Sequence, residues 1–298
     1  MNWPEIVIQG LLIGGLYALF ACGLSLLFGT MGVINLAHGD LAVVAAYVVI
    51  VLVPFLGASS AVSPGATLTL IAFALVVPIF FVVGYVGQRT LIQSSLVRGP
   101  MTTLLVTFGL SVVIQNALLV HFSADSHSLD LGSFVYTSIK LSNKVFVGWL
   151  GLAIFMVAVV VLVGLQLILS YTPLGRQIRA VADDREAAQL VGADYRHVFG
   201  IAGALAMATV AMAGLALGTY SQFAPTSGGI WLLFAFEAVV IGGLGSLWGT
   251  LLGGIVLGLA QSVGAAVDPS IGLLSGHLVF LAVLAVRPEG LLPVRVTA

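Results

Sequence analysis

Residues 172–197 read TPLGRQIRAVADDREAAQLVGADYRH and hold eight of the 21 charged residues of the chain. The flanking stretches, Val145 to Gly175 and Val198 to Phe236, contain no Asp, Glu, Lys or Arg. Other uncharged runs cover 6–39, 41–88, 99–124 and 238–267, and each exceeds the roughly 20 apolar residues that cross a bilayer. The pattern predicts an all-α polytopic membrane protein with one large polar loop.

The composition narrows the class of protein further. The chain is 60% hydrophobic and 7% charged, whereas a soluble domain carries about 25% charged residues, so we expect residues 1–298 to form a single transmembrane domain. With a net charge of −1, the chain lacks the excess of basic residues that would attract nucleic acid. The single cysteine, Cys22, can form no intrachain disulfide. The first apolar run follows Met-Asn-Trp-Pro-Glu without a basic segment, so we interpret it as a retained helix.

Gly, Pro and polar clusters divide the apolar runs into about eight or nine transmembrane or re-entrant helices. The predicted helices lie near 6–28, 33–53, 66–87, 101–121, 146–169, 199–219, 230–247, 249–266 and 271–286. Glycines crowd the join between the seventh and eighth, so a broken or re-entrant pair is as consistent with the sequence as two full spans.

The orientation follows from the basic residues, because cytoplasmic loops of membrane proteins are enriched in Lys and Arg. The 172–197 loop is therefore predicted to be cytoplasmic. Counting helices outward then places Arg89, Arg98, Arg287 and Arg295 on the same side, and Lys140 and Lys144 in a polar outer loop. The N-terminus is expected to lie outside.

The charged loop is predicted to contain one amphipathic helix. Thr172 and Pro173 are typical of a helix start, and Gly192 is well placed to end a helix that runs to about Val191. The apolar face comprises Leu174, Ile178, Val181, Ala182 and Ala188; the polar face comprises Arg176, Arg179, Asp183 and Glu186; Arg185 intrudes on the apolar face. Such a helix could lie at the lipid headgroups or dock on a soluble protein, and its mixed charge favours the protein.

Several motifs together resemble a known family. Glu186-Ala187-Ala188-Gln189-Leu190-Val191-Gly192 resembles the EAA-x-x-x-G coupling motif of ABC importer permeases, and Pro173-Leu174-Gly175-Arg176 before it resembles the branched-chain amino acid (LivH-like) branch. Further similar segments are Ile34-Asn35-Leu36-Ala37-His38-Gly39, Phe236-Glu237-Ala238 with Gly242-Gly243-Leu244-Gly245-Ser246, and Arg287-Pro288-Glu289-Gly290-Leu291.

The resemblance implies a permease subunit of an ATP-driven importer for branched-chain or related amino acids. Its partners would be a pair of cytoplasmic ATPases, an extracytoplasmic binding protein and a second permease subunit, in a LivH/LivM-like heterodimer within the bacterial inner membrane. The coupling residues would be Arg176, Arg179, Asp183, Glu186, Ala187, Ala188 and Gly192. The chain has no Gly-Lys dipeptide and hence no P-loop, so we expect it to be no enzyme and to bind no cofactor, with ATP on the partner subunits.

Polar residues inside the apolar runs are candidates for the translocation path or its gate. Glu237 lies about seven residues into its predicted helix, roughly 10 Å of rise, where an ionised carboxylate needs a partner or water. It could instead lie shallow, near Trp231, and bond to a neighbouring helix. Asn35, His38 and Asp40 cluster where the first two helices join, and capping on the cytoplasmic side is favoured over substrate contact.

Two other classes of function are less consistent with the sequence. A self-sufficient secondary transporter could use Glu237 for proton coupling, but it leaves the charged loop unexplained. An intramembrane enzyme lacks any recognisable catalytic motif. His121, His127 and His197 lack the spacing of a zinc site, and His277 could be either a buried hydrogen-bonding group or a pathway residue.

Overall fold

The computed structural model describes residues 3–57, 66–132, 137–142 and 145–293, which are mainly helical. The helices are α1 (Trp3–Met31), α2 (His38–Phe55), α3 (Ala66–Gly87), α4 (Gln93–Leu96), α5 (Pro100–Phe122), α6 (Trp149–Tyr171), α7 (Pro173–Asp183), α8 (Arg185–Leu190), α9 (Tyr195–Tyr220), α10 (Gly228–Gly242), α11 (Leu247–Val267) and α12 (Gly272–Val286). A π-helix, Gln88–Ile92, joins α3 to α4, and a 3₁₀ turn, Pro269–Ile271, precedes α12.

The described residues contain eight helical stretches that are long and apolar enough to cross a membrane. The apolar helix α10, with 15 residues, is shorter than these. The predicted all-α polytopic class is therefore confirmed. Lys144 and Arg295, two basic residues used to predict orientation, lie outside the described residues.

Some predicted boundaries are wrong. The second helix begins at His38 and not near 33, and the seventh ends at Gly242 and not at 247, because Gly243 and Gly245 adopt positive φ angles. The fifth predicted helix, α6, is preceded by an unpredicted antiparallel hairpin, β1 (Ser138–Ser142) with β2 (Val145–Gly148). Local pattern did not reveal this hairpin, since β2 continues directly into the apolar run of α6.

The centre of the bundle is formed by α1 and α9, which pack against each other, with α11, α10 and α2 around them. Glycines allow α1 and α11 to approach closely: a methyl group at Gly14 would overlap the backbone of Ile255, and one at Gly254 would overlap the carbonyl oxygen of Gly14. Small residues permit such contact between membrane helices. These glycine pairs therefore hold two helices of one chain together.

Two helices, α2 and α10, begin inside the bundle. The first residue of α2, His38, bonds to Phe20, which lies within α1 and not at its end. The first residue of α10, Gly228, contacts Gly39 and Asp40 so closely that a side-chain carbon at Gly39 would overlap its carbonyl oxygen. Short links, 32–37 and 221–227, lead into these two helices from the ends of α1 and α9. The N-termini of α2 and α10 consequently meet in the protein interior.

Candidate coupling surface and intramembrane junctions

The charged segment forms two short helices and not one. Thr172 accepts a hydrogen bond from the backbone N–H of Gly175 at 3.1 Å, and Gly192 has a φ of 89°, so the predicted start and end are confirmed. Asp184, however, is extended, with φ −148° and ψ 111°, and separates α7 from α8. Its carboxylate accepts the N–H groups of Glu186 and Ala187 at 2.9 and 3.0 Å. The continuous helix was a wrong prediction because the Asp184 side chain caps a new helix.

One side of this segment is anchored in the bundle. Ile178, Val181 and Ala188 are buried in a cluster that includes Phe199 of α9. Ala182, predicted on the apolar face, is exposed. Arg185 does not disturb the anchored side, since its guanidinium lies over the Phe199 ring, 5.2 Å from the centroid. The segment is thus a projection anchored on α1, α6 and α9.

The structure places most of the predicted coupling residues at the surface. Arg176, Asp183, Glu186, Ala187 and Gly192 are exposed. Arg179 is also exposed, but its guanidinium donates to the carbonyl oxygen of Leu169 near the end of α6. Ala188 is 3% exposed and packs inward. Six of the seven predicted residues can therefore reach a partner, whereas Ala188 helps to anchor the segment.

Two surface residues were missed by the sequence reasoning. Leu190 and Val191, at the end of α8, are 89% and 84% exposed. Both lie next to Glu186 and Ala187 in the segment, and neither belongs to the predicted apolar face. The sequence signal that could have identified them is a pair of adjacent apolar residues directly before the glycine that ends the helix.

The predicted cluster at the start of α2 is fully buried and joins three helices. Asn35 Oδ1 accepts the N–H of Ala37 at 3.0 Å, which is a turn interaction. His38 Nε2 lies 2.8 Å from the carbonyl oxygen of Phe20. The Asp40 carboxylate accepts Ser111 Oγ at 2.5 Å and Gln115 Nε2 at 3.0 Å, both from α5.

These contacts correct the expected capping role. The N-cap position of α2 is Ala37, and no side chain caps that helix. His38 and Asp40 instead bond to α1 and α5, because the start of α2 lies between those two helices inside the bundle. Only Asn35 stabilises a turn, as the sequence suggested.

Glu237 and His277 form a second junction, between α10 and α12. Glu237 is 2% exposed, and its Oε1 lies 2.5 Å from Nδ1 of His277, whose side chain is 34% exposed. The His277 ring also stacks on Phe234, with centroids 6.1 Å apart. Glu237 Oε2 is buried and has no hydrogen-bond partner among the described residues. The buried carboxylate thus has the neighbouring-helix partner that its position requires.

Cavities lie on two sides of the central helices. A cavity of about 550 Å³ lies between α1, α6, α7 and the α10–α11 link, with Ser25, Gln166, Arg179 and Ser246 among its lining residues. An apolar cavity of about 580 Å³ lies between α3, α6 and α9. Asn35 borders a smaller cavity of about 160 Å³. His38, Asp40 and Glu237 line none of these three cavities.

The geometry defines a class of protein. Helices that begin inside a membrane bundle, with buried carboxylates at their junctions, are typical of membrane transport proteins. A charged projection fixed to the same bundle indicates a subunit that works with a soluble partner.

Comparison with known proteins identifies the family. Residues 6–286 match the family model described as "Branched-chain amino acid transport system / permease component", and the chain belongs to this family. It is therefore a permease component, a multi-pass protein of the bacterial inner membrane. Family membership does not support the secondary-transporter alternative.

Individual relatives agree with the assignment. The chain is 30% identical over 297 residues to the high-affinity branched-chain amino acid transport system permease protein BraD of Pseudomonas aeruginosa, covering 98% of this chain and 96% of the relative. It is 26% identical to the LivH permease protein of Escherichia coli K12, covering 95% and 93%. A shorter match, 36% identical over 45% of this chain and 41% of the relative, is to the fructose import permease protein FrcC of Rhizobium meliloti. No solved structure matches.

Proposed function

We propose that this chain forms half of the translocation path of an ATP-driven importer for branched-chain or related amino acids. The near full-length similarity to BraD and LivH supports this substrate class. The similarity to FrcC covers less than half of the chain and gives weaker support for a sugar. The chain itself binds no nucleotide, and ATP is bound and hydrolysed on partner ATPases.

The observation that carries the proposal is the anchored projection formed by α7 and α8. Its outer side presents the charges of Arg176, Asp183 and Glu186 together with the exposed Leu190 and Val191. Apolar side chains with a charged rim are typical of a protein interface. We assign this surface to a cytoplasmic ATPase, with Leu190 and Val191 as its apolar contact. Movement of the ATPase would reach α9 through Ala188 and Phe199.

The remaining partners are assigned by position. An exposed Asn116 within α5 favours a protein or water neighbour over lipid, so we place the second permease subunit, a LivM-like homologue, against α5. The hairpin β1–β2 lies at the opposite end of α6 from the coupling projection, which supports docking of an extracytoplasmic binding protein there.

We assign the gate to the junctions of α2 and α10. Asn35, His38, Asp40 and Glu237 are all at most 3% exposed. His38, Asp40 and Glu237 bond to neighbouring helices, whereas Asn35 stabilises the turn before α2 and borders the cavity of about 160 Å³. Because α2 and α10 begin at the same point, a shift at Asp40 would move both N-termini. These residues therefore act by positioning the two helices.

Co-purification tests the coupling surface. The tagged chain is recovered from its host in mild detergent as wild type, Glu186→Arg or Leu190→Ser, and ATPases are identified and assayed. We expect wild type to retain them and both variants to lose them, because each change removes one element of the outer surface. Val286→Ser is the matched control, since Val286 is 80% exposed at the cytoplasmic end of α12.

The results separate two conclusions. Loss in Val286→Ser as well as in Leu190→Ser would show that exposed apolar residues act nonspecifically, and the docking assignment would be wrong. Wild type that carries no ATPase, yet transports leucine in vesicles without ATP, would contradict the importer proposal itself.

A further inference from the structure

A small polar cavity lies at the cytoplasmic ends of α4 and α9, apart from α7 and α8. Arg89, Gln93, Ser94, Val97 and Arg196 line it, and its volume is about 220 Å³. The two arginines come from different parts of the chain, one from the π-helix and one from the first turn of α9. The cavity is large enough for a phosphate group with part of an attached alcohol.

Aromatic neighbours position both arginines, and neither arginine forms an ion pair within the described residues. Arg89 donates to Tyr85 Oη at 2.8 Å, and that hydroxyl lies 2.9 Å from His197 Nδ1. The Arg196 guanidinium lies 5.9 Å from the centroid of the Tyr195 ring. Among described residues, neither guanidinium is within 4.0 Å of a carboxylate oxygen. Asp194, next in sequence, accepts the backbone N–H of Arg196 as the cap of α9.

Gln93 is the second observation that indicates a ligand. The residue is only 6% exposed, and both its amide oxygen and its amide nitrogen are buried without a partner in the described part of the chain. Buried amides are normally hydrogen-bonded. Because Gln93 also lines the cavity, a rotation of its side chain would let the amide donate to an oxygen bound beside the arginines. No residue in the described part of the chain supplies such an oxygen.

The surface beside the cavity is apolar and faces outward. Val82 and Val86 are 59% and 51% exposed, and their spacing of four places them on one side of α3, in the turns before Arg89. Val97, at the rim of the cavity, is 74% exposed. Basic pockets at the cytoplasmic ends of membrane helices are suited to anionic headgroups. The apolar side of α3 could receive the acyl chains below such a headgroup.

We propose that this cavity binds the phosphate of an anionic phospholipid from the cytoplasmic leaflet. The guanidinium groups of Arg89 and Arg196 contact the phosphate, Gln93 donates to one of its oxygens, and the acyl chains lie along Val82 and Val86. A π-helix is frequent at functional sites, and here it carries Arg89 to the cavity. This site is independent of the ATPase-docking surface.

Native mass spectrometry of the full chain, purified alone in neutral detergent, tests the site. The probes are dioleoyl-phosphatidylglycerol, dioleoyl-phosphatidylcholine and inorganic phosphate. We expect phosphatidylglycerol to bind more tightly than phosphatidylcholine. Arg89→Gln or Arg196→Gln should each weaken the binding of phosphatidylglycerol about fivefold, and the double variant roughly thirtyfold, because each arginine adds a similar electrostatic attraction to an anionic headgroup. Arg98→Gln is the matched control, since Arg98 is exposed at the same end but does not line the cavity.

Each other outcome overturns the proposal. Equal loss in Arg98→Gln would show diffuse attraction to charge and no site. Equal binding of phosphatidylcholine would show that the charge of the headgroup is not recognised. Displacement of the lipid by millimolar inorganic phosphate would identify a free phosphate site. If the double variant kept its lipid but lost ATPases in the separate co-purification assay, the arginines would be a protein contact instead. The single variants remain informative if the double variant does not fold.

Discussion

Replacing Asp40 and Ser111 by alanine, singly and together, measures how strongly these two residues couple α2 to α5. Ser111 Oγ donates to Asp40 Oδ2 at 2.5 Å, and Gln115 Nε2 donates to Oδ1 at 3.0 Å. Gln115 Nε2 also donates to Ser111 Oγ at 3.4 Å, so Asp40, Ser111 and Gln115 form one network. The cycle therefore measures the free energy of coupling between Asp40 and Ser111 within that network.

The expected coupling free energy follows from two ranges for the strength of hydrogen bonds. A hydrogen bond to a charged group contributes about 1.5–3 kcal/mol to stability, whereas interhelical hydrogen bonds in a membrane protein average roughly 0.6 and reach about 1.7 kcal/mol in double-mutant cycles. The Asp40–Ser111 bond is short, and both residues are buried. We therefore expect a coupling near the upper end of the membrane range, about 1.4 kcal/mol, which is a factor of about ten in the unfolding equilibrium.

Cys22 supplies the assay. It is the single cysteine of the chain and lies in α1 with no exposed surface. A fluorescent maleimide can react with it only after the bundle opens, so the labelling rate reports the population of the open form when closing is fast. The rates of wild type, the two single variants and the double variant give the coupling directly.

Thr107→Val is the matched control. Thr107 is buried in the same helix as Ser111, but its hydroxyl donates to Leu104 within α5. Its coupling with Asp40→Ala should be below about 0.3 kcal/mol, as for independent sites. A coupling for Ser111 no larger than that for Thr107 would refute the inference that this bond holds α2 to α5.

Three further predictions use the same labelling assay. Gly254→Val should lower the free energy of unfolding by about 3 kcal/mol, because its side chain would overlap the backbone of α1. Asp184→Ala should cost about 1 kcal/mol through the lost cap and reduce ATPase co-purification, because α7 can then continue into α8. His277→Ala should cost about 1–3 kcal/mol by leaving the buried Glu237 carboxyl without its partner, while Glu237→Leu with His277→Phe should restore most of the stability.

Each of these three predictions has a control variant or an outcome that would contradict it. Gly87→Ala, in open space, should change stability little, and a Gly254→Val protein of wild-type stability would refute close packing of α1 on α11. Asp194→Ala removes a similar cap from α9, so equal loss of ATPases in this variant would show that the α7–α8 break is not specific. A paired Leu and Phe variant as unstable as His277→Ala would show that the junction needs its charge.

Local chemistry made much of the fold predictable. The uncharged runs are longer than a membrane crossing, so the existence of α1, α3, α5, α6 and α9 followed directly. Thr172 and Gly192 each act on the backbone within a few residues, and both behave as the sequence predicts. Asp184 was different, because the helical periodicity continues across it. Only the capping hydrogen bonds of its side chain decide between two short helices and one continuous helix.

Long-range partners could not be predicted in the same way. Glu237 needed a partner, but nothing local identified His277, forty residues away on another helix. The position of His38 depends on Phe20, and that of Asp40 on Ser111, so the depth of the α2 N-terminus follows from packing. The hydrophobic pattern gives no register between helices that are uniformly apolar, which is why the first residue of α2 was misplaced.

One continuous series of contacts links the coupling projection to the interior junction. Ala188 of α8 lies in one cluster with Phe199, at the cytoplasmic end of α9. Further along α9, a methyl group at Gly214 would overlap the carbonyl oxygen of Ala42, so α9 and α2 touch backbone to backbone. Two residues before Ala42, Asp40 meets the first residue of α10. A packed helix cannot absorb displacement by compression. We therefore propose that a push on α8 is transmitted through α9 to the paired starts of α2 and α10, so that α9 links the proposed docking surface to the proposed gate.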